Sequence, residues 1–138
     1  MESLKLENQI CFPLYTASRI MVQAYTPLLK TLGVTYPQYL VLLVLWEEEE
    51  TTVGQITKRL QLETSTITPL LKRMEQMEII QRKRSDLDER KVMVTLTQKG
   101  IDMKQKACMI PEALMESTNF SIEELGALHA LLTKFIQQ

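Results

Sequence analysis

The spacing of apolar residues along the chain predicts several amphipathic helices. Between Ile10 and Leu32, apolar side chains recur at alternating steps of three and four residues, at Ile10, Leu14, Ala17, Met21, Ala24 or Tyr25, and Leu28. This spacing is typical of a helix that buries one stripe of its surface. Proline is tolerated in a first helical turn and costly later, so Pro13 places the start of the regular helix near Phe12, or a kink there. Cys11 is therefore expected at or just before a helix N-terminus.

A second helix is expected after Gly33, a residue typical of helix ends. The sequence Thr35-Tyr36-Pro37 has the pattern of a helix start. The segment YPQYLVLLVLWEEEE is apolar nearly all round before its acidic end, which is typical of a helix at the centre of a core. We interpret the acidic block from Glu47 to Glu50 as a solvated surface.

The next stretch has the pattern of two helices joined by a turn at residues 61–63. Thr52 and Gln55 have the spacing of a capping box, and the inner face of the first helix follows as Val53, Ile56 and Leu60. The second helix has apolar residues at positions i, i+3, i+4 and i+7, namely Ile67, Leu70, Leu71 and Met74. Pro69 allows two starts: near Ser65 with one hydrogen bond lost, or with Thr68 as cap and Pro69 as first residue.

Two strands and two further helices complete the prediction. The segments 79–84 and 90–96 have β-type composition, and the loop SDLDE between them is short enough for a hairpin. A helix is expected from Thr97 towards Met115, bent by Pro111, with an inner face of Ile101, Ala107, Ile110 and Leu114. Ser121 and Glu124 form a second capping box before Leu125, Leu128, Leu132 and Phe135. The fold class is therefore mainly α with a small β-hairpin.

Composition and charge narrow the class of protein. A chain of 138 residues, 45% hydrophobic and 24% charged, is expected to form one globular domain. Charge interrupts every apolar run, and the N-terminus lacks a signal-peptide pattern, so we expect a cytoplasmic protein with no membrane segment. In that compartment Cys11 and Cys108 are expected to be thiols. The net charge is −1, but the local field governs phosphate binding, and bases concentrate at Lys72, Arg73, Arg82, Lys83, Arg84, Arg90 and Lys91.

The chain offers little for catalysis or for a metal. His129 is the only histidine and has no partner ligands nearby in the sequence, so it is expected at the surface. Two distant cysteines and one histidine do not form a zinc-ligand pattern, and no glycine-rich phosphate loop is present. We expect no metal and no cofactor.

DNA binding has better support from the residue pattern. The outer face of the second helix of the pair carries hydroxyls, a proline and bases, which can reach base edges or phosphates: Ser65, Thr66, Thr68, Pro69, Lys72 and Arg73. Arg84 and Arg90 flank the hairpin tip and are long enough to enter a neighbouring minor groove. From composition alone, this face of the helix could equally bind DNA or simply be exposed to solvent. The hairpin that follows the helix favours DNA binding.

Four segments resemble the MarR family of winged-helix regulators, and within it the organic-hydroperoxide regulators, OhrR. They are LENQICFPLY, VTYPQYLVLLVLWE, LETSTITPLLKRMEQM and RKRSDLDERKVMVTLTQKG, which together span nearly the whole chain. The resemblance implies an obligate homodimer with a winged helix-turn-helix. Residues 1–34 and 98–138 would supply dimerisation helices, and residues 35–97 the core helix and the winged unit, within one domain of residues 1–138.

The resemblance also assigns roles to the DNA-binding residues. The helix from about Ser65 to Met77 would enter the major groove of operator DNA, and Arg90 the minor groove, with Asp88 orienting it. OhrR-like proteins commonly have Asp-Ser-Gly before the recognition helix, whereas this chain has Glu63-Thr64-Ser65. The sequence therefore leaves undecided which residue caps that helix.

Cys11 is the candidate sensing residue. Peroxide reacts with thiolate, which a helix N-terminus and phenol donors both favour. Tyr15 is one turn away, whereas Tyr25 is about 21 Å along the helix at about 1.5 Å per residue. Only the Tyr25 of an antiparallel second copy could approach Cys11. The resemblance implies the same arrangement: two tyrosines on the reactive cysteine, one of them from the partner. The alternative is that Cys11 is a small buried apolar residue.

Cys108 has two possible roles. Some OhrR-like proteins carry a second cysteine that forms an intersubunit disulfide after oxidation, and the resemblance places that position near Glu116. Cys108 lies about two turns earlier. It either resolves oxidised Cys11 or is an inert core thiol.

The resulting hypothesis is a dimeric repressor that releases operator DNA when organic hydroperoxide oxidises Cys11. One rival hypothesis is a MarR-type regulator released by a small aromatic ligand, in a pocket lined by Tyr15, Tyr25, Tyr36 and Trp46. Another is a thiol peroxidase-like enzyme with Cys11 as nucleophile, against which the lack of a neighbouring Thr/Arg activation set argues.

Overall fold

The computed structural model describes residues 1–138 and contains seven α-helices and three short strands. Two 3₁₀ turns, Glu2–Leu4 and Leu6–Asn8, precede the first helix. The elements are α1 (Cys11–Leu29), α2 (Tyr36–Glu48), β1 (Glu50–Thr52), α3 (Val53–Leu60), α4 (Thr64–Gln76), β2 (Ile80–Arg84), β3 (Val92–Leu96), α5 (Gln98–Ala107), α6 (Ile110–Glu116) and α7 (Ile122–Ile136). None of these helices combines the length and the apolar character that crossing a membrane would need.

Helix α2 is the centre of the core, as its all-round apolar pattern predicts. Val41, Leu42 and Leu45 are fully buried, and the helix contacts α1, α3, α4, α5 and β1. Thr35 caps the helix, because its Oγ1 accepts from Gln38 N at 3.4 Å while Gln38 Oε1 accepts from Thr35 N at 3.0 Å. This reciprocal cap supplies partners for two of the donors that a helix start leaves free.

Helices α3 and α4 form the predicted helix-turn-helix. Thr52 Oγ1 accepts from Gln55 N at 3.1 Å, but the Gln55 side chain does not return a bond, so the predicted capping box is only half formed. Gln61 ends α3 in the left-handed region, with φ 53°. Of the two starts that Pro69 allowed, the structure has the earlier one: α4 runs through Pro69 from Thr64. The burial of Ile67, Leu71 and Met74 offsets the hydrogen bond that proline cannot donate.

The sheet is antiparallel in the order β1-β3-β2. The two predicted strands pair from Ile80 opposite Leu96 to Arg84 opposite Val92, and they begin one and two residues later than the sequence suggested. Strand β1 was missed by the sequence analysis. It has three residues, too few for an alternating pattern, and its Thr51 is buried opposite Val94.

The single helix predicted from Thr97 to Met115 is wrong, because the chain forms two helices there. The break falls at Cys108 and Met109, and Pro111 lies in the first turn of α6 instead of bending a continuous helix. The N–H groups of a first helical turn have no acceptor within the helix, so the missing N–H of Pro111 costs little at the start of a new helix. Ile101, predicted on the inner face, is half exposed, and the buried residues of α5 are Gly100, Met103 and Ala107.

The terminal helices leave their apolar faces uncovered in the single chain. The stripe predicted to be buried on α1 is exposed at Ile10 and Met21, and Leu29 is the only buried residue of that helix. The capping box of α7 is present as predicted, with Glu124 N donating to Ser121 Oγ at 3.1 Å. Yet α7 has no buried residue, and Phe135 is 58% exposed. Apolar surface of this extent is typical of an interface.

Gly100 provides a sharp test of how α5 docks on the sheet. A Cβ built there would lie 2.4 Å from the Ile79 carbonyl oxygen, so we expect Gly100→Ala to destabilise the fold by about 1–3 kcal/mol through overpacking. Gly126 in α7 has nothing within 4 Å of such a Cβ, and Gly126→Ala should be stabilising by about 0.5–1 kcal/mol. Urea unfolding at fixed protein concentration measures both. An unchanged midpoint for Gly100→Ala would contradict this packing.

Candidate nucleic-acid interface and cysteine site

The outer face of α4 displays the polar side chains predicted to bind DNA. Its opposite face is anchored by three fully buried residues, Ile67, Leu71 and Met74. The exposed set is Ser65, Thr66, Thr68, Pro69, Lys72 and Arg73. The helix therefore presents hydroxyls and bases to the exterior on a rigid support.

The start of α4 has no side-chain cap. Glu63 occupies the N-cap position with φ −82° and ψ 153°, but its carboxylate accepts no backbone hydrogen bond. Its carbonyl accepts from Thr66 N and Ile67 N, each at 3.0 Å. With Glu63-Thr64-Ser65 in place of Asp-Ser-Gly, this chain therefore has no side-chain cap at the start of α4.

The wing is the hairpin of β2 and β3 with its connecting loop, and hydrogen bonds within the loop hold it. Ser85 Oγ accepts from Leu87 N at 3.2 Å and from Asp88 N at 3.3 Å. Arg84 Nη1 donates to the Glu89 carbonyl at 2.8 Å. Arg84 therefore braces the loop instead of extending freely from its tip.

Asp88 and Arg90 are paired at the wing tip, as the resemblance implied. Asp88 Oδ1 accepts from Arg90 N at 3.1 Å and from Arg90 Nε at 3.2 Å. These side-chain and backbone bonds lower the pKa of Asp88. The Arg90 side chain is 91% exposed, so its guanidinium is oriented while open to a ligand.

A second ion pair joins the wing to α4, and the sequence analysis missed it. Glu75 Oε2 accepts from Arg82 N at 2.9 Å, and Glu75 Oε1 accepts from Arg82 Nη2 at 3.2 Å. The backbone bond is the largest cause of the lowered pKa of Glu75. The signal in the sequence was a carboxylate and a base on either side of the turn from α4 into β2.

The acidic block is more than the solvated surface that we inferred. Arg59 of α3 donates to Glu47 at 2.7 Å and to Glu48 at 3.0 Å. Exposed pairs contribute little to stability, but this one links the end of α2 to the helix-turn-helix.

Cys11 is the first residue of α1 and is exposed. The alternative of a buried apolar cysteine is therefore wrong for the single chain. Tyr15 lies one turn further on, 66% exposed, and Arg19 lies over its ring at 5.2 Å from the centroid. The thiol is thus accessible at a helix start.

Tyr25 belongs to an aromatic cluster at the junction of α1 and α2. Its ring centroid lies 4.7 Å from that of Tyr36 and 5.7 Å from that of Tyr39, and Trp46 packs edge-on against Tyr39. Burial, together with Tyr36 and Tyr39, raises the pKa of Tyr25 to about 12. Tyr15 is not a member of the cluster. Within the single chain, three of the four residues of the aromatic-ligand hypothesis therefore lie in one cluster, together with Tyr39, which that hypothesis omitted.

Cys108 and His129 are both at the surface. Cys108 follows the last residue of α5, and its thiol donates to the Lys104 carbonyl at 3.3 Å. It is exposed and so is not a core thiol of the single chain. His129 is exposed on α7, as expected. No group of His, Cys, Asp and Glu side chains is arranged to hold a metal.

Comparison with known proteins decides the family. The family model described as Transcriptional regulator SarA/Rot matches residues 23–107. The organic hydroperoxide resistance transcriptional regulator of Bacillus subtilis is 47% identical over 136 residues, which cover 99% of this chain and 92% of that protein. A mutant MarR from E. coli, solved in complex with operator DNA, has a TM-score of 0.79 at 22% identity over 95% of this chain and 98% of its own, which indicates the shared fold. The chain belongs to the MarR family.

AbfR of Staphylococcus epidermidis is a relative solved in several states. Reduced AbfR bound to DNA is 36% identical, with a TM-score of 0.83 over 99% of this chain and 94% of that one. Overoxidized AbfR bound to DNA has a TM-score of 0.80 at 37% identity, and disulfide-formed AbfR 0.66 at 36% identity, each over 99% of this chain and 96% of the other. By TM-score, the structure of this chain is therefore more similar to both DNA-bound forms than to the disulfide form.

These relatives are transcriptional regulators and not enzymes. This MarR-family chain is accordingly a DNA-binding transcriptional regulator with a winged helix-turn-helix. The fold class inferred from the sequence is confirmed, with the addition of β1 as a third strand.

The Asp88–Arg90 pair generates a prediction on DNA binding. Arg90→Ala removes the exposed guanidinium and should weaken operator binding by about 1–3 kcal/mol, or about 5- to 150-fold. Asp88→Asn keeps an acceptor for Arg90 N but loses the charge-assisted bond, so its loss should be smaller. Fluorescence anisotropy at fixed salt measures both variants. A larger loss for Asp88→Asn than for Arg90→Ala would contradict the orienting role.

Proposed function

We propose that this MarR-type regulator is a homodimeric repressor that senses organic hydroperoxide through Cys11 and releases its operator on oxidation. The observation that carries the proposal is the exposed Cys11 thiol at the N-terminus of α1, a helix whose apolar face is uncovered in the single chain. A cysteine in this position is accessible to oxidant and adjacent to the expected subunit interface.

The chemistry needs only the thiol and the peroxide. The thiolate is the reactive form of a cysteine towards peroxide. The sulfur attacks one peroxide oxygen, the O–O bond breaks, and the products are a cysteine sulfenic acid and an alcohol, with the proton taken up by the leaving alkoxide. A second thiol, such as that of Cys108, would then form a disulfide and release water.

The path from Cys11 to the DNA runs through packed helices. Tyr25 is held against Tyr36 and Tyr39 of α2, and α2 contacts both α3 and α4. Loss of a contact between Tyr25 and the partner's oxidised cysteine would therefore shift α1 against the helix that supports the DNA-binding unit. Coupling of this kind requires two arrangements of the dimer with different operator affinity.

The relatives support oxidation sensing and sharpen its test. The Bacillus subtilis relative is named for organic hydroperoxide resistance, and AbfR was solved in reduced, overoxidized and disulfide forms. Overoxidized AbfR was solved bound to DNA, so an oxidised form of that protein is compatible with DNA binding. For this chain, the oxidised product must therefore be identified when release is measured.

Release by a small aromatic ligand is a second candidate because of one feature. A cavity of about 450 Å³ lies between α1 and the start of α2, with Val22, Leu29 and Tyr36 in its lining. Its size suits a small ligand. Operator binding measured with aromatic acids and, separately, with organic hydroperoxide distinguishes the two effectors.

Dimerisation should depend on the uncovered face of α7. Leu131 is 67% exposed, and Leu131→Glu would place a charge in the expected interface, where desolvation costs several kcal/mol. We expect a monomer by light scattering and loss of operator binding. Leu87→Glu, at a 99% exposed position on the wing tip, is the matched control for the light-scattering measurement. It makes the same change of residue outside α7 and should leave the protein a dimer. If Leu131→Glu remains a dimer, α7 does not form the interface.

Cys11→Ser tests the sensing role directly. The variant should bind operator within about threefold of wild type and remain bound when organic hydroperoxide is added, whereas wild type should lose at least about tenfold in affinity. Cys108→Ser is the matched control, and mass spectrometry identifies the sulfur product in each protein. Release of Cys11→Ser by hydroperoxide would end the sensor proposal.

A further inference from the structure

A cleft separates α4 from the wing. Its volume is about 590 Å³, and its walls come from the first turn of α3, from α4 and from the wing. Thr68 of α4 stands on one side, and Arg82, Arg90 and Lys91 stand on the other. The cleft therefore lies between the two elements that carry the candidate DNA-binding residues.

The lining of this cleft is positively charged. It contains three cationic residues, Arg82, Arg90 and Lys91, and three threonine hydroxyls, but no aspartate or glutamate. The whole chain has 17 acidic residues against 16 basic ones, so the separation of charge here is local. Arg82 and Arg90 have carboxylate partners, Glu75 and Asp88, but both carboxylates lie outside the lining. The cations and hydroxyls that face the cleft therefore form a site for an oxyanion.

Arg82 has donors that the protein itself does not use. Its Nη2 donates to Glu75 and its backbone N donates to the same carboxylate, which fixes the guanidinium. Its Nε is buried and out of reach of a ligand, whereas Nη1 makes no hydrogen bond within the protein. Nη1 is therefore the donor of this side chain that remains for an acceptor from outside the chain.

The position of the cleft identifies the acceptor. The sugar–phosphate backbone runs between the major and minor grooves of a duplex. With α4 in the major groove and Arg90 in the adjacent minor groove, the cleft between them faces that backbone. We propose that the cleft binds one operator phosphodiester per subunit, held by Arg82 and Lys91, with Glu75 as the positioning residue that orients Arg82.

This inference goes beyond oxidation sensing and does not rest on it. It rests on the proposed function only in requiring that a dimer of the regulator binds DNA through α4 and the wing together. All measurements are therefore made on reduced protein without peroxide, so that failure of the Cys11 proposal and failure of this one are distinguishable.

Phosphate-ethylation interference is the decisive experiment. In wild type, ethylation of one phosphate in each half-site, between the α4 and wing footprints, should weaken binding. In Arg82→Gln, ethylation of that phosphate should no longer matter, while interference at other phosphates persists. Lys83→Gln is the matched control, because Lys83 is the next residue of β2, is 78% exposed and does not line the cleft. It removes the same charge and should keep the wild-type pattern.

The salt dependence of binding gives an independent readout. Loss of one phosphate contact in each of two half-sites should reduce the slope of log K against log salt concentration by about 1.8, at about 0.9 per phosphate. A merely structural role for Arg82 would lower affinity without removing interference at one phosphate, and that result would overturn the proposal. So would an identical change in the interference pattern for Lys83→Gln.

Two further variants keep the test decisive if Arg82→Gln folds poorly. Lys91 is exposed, and Lys91→Gln should weaken interference at the same phosphate. Glu75→Gln keeps an acceptor but loses the charge, so it should reduce interference partly, and more at that phosphate than elsewhere. If Lys91→Gln instead weakens interference at a different phosphate, Arg82 and Lys91 do not share one site and the proposal is overturned.

A free anion is the other source of the same chemistry. Inorganic phosphate added at constant ionic strength should not displace operator more than chloride does. If phosphate displaces operator from wild type but not from Arg82→Gln, the cleft is a site for a free anion and the phosphodiester assignment is wrong.

Discussion

The burial of α2 over most of its surface is the constraint on which the rest of this structure depends. Its side chains are apolar nearly all round, so water must be excluded from most of its circumference, and five other elements pack against it, although Leu43 is 41% exposed. Polar N–H groups near both ends of α2 have hydrogen-bond partners. The capping box at Thr35 satisfies the start, and Trp46 Nε1 donates to the Gly100 carbonyl at 2.9 Å near the other end. Because α2 also touches α3 and α4, the position of the DNA-binding unit follows from how this helix is covered.

Two ion pairs link the core to the surface that carries the candidate DNA-binding residues. Arg59 joins α3 to the end of α2, and Arg82 joins the wing to the last turn of α4 through Glu75. Neither pair is deeply buried, so their value lies more in orientation than in stability. The expected binding mode, with a helix and a hairpin in neighbouring grooves, would benefit from such orientation, since the Glu75–Arg82 pair holds the two elements against each other.

Local patterns predicted much of this structure, and non-local contacts account for what was missed. Periodicity identified α4 and the hairpin because each has an internal repeat of apolar residues, and α2 was identified by its start signal and its nearly continuous apolar run. Strand β1 is too short to have one, and it exists because Val94 of β3 lies opposite Thr51. The break between α5 and α6 was misread because Pro111 suits either a bend or a new start. The stripe on α1 was identified, yet its burial cannot occur within one chain. Among the candidate DNA-binding residues, the exposed face of α4 followed from the spacing, whereas the Glu75–Arg82 pair required the fold.

The raised pKa of Tyr25 has a consequence for how its hydroxyl forms hydrogen bonds. With a pKa of about 12, this phenol keeps its proton across the whole range of pH that a living cell reaches. Its hydroxyl is therefore a constant donor, whatever acceptor it meets. A change of pH would therefore act on such a contact only through the acceptor and its own protonation state. Burial in the aromatic cluster thus widens the margin by which the tyrosine side of the contact stays protonated.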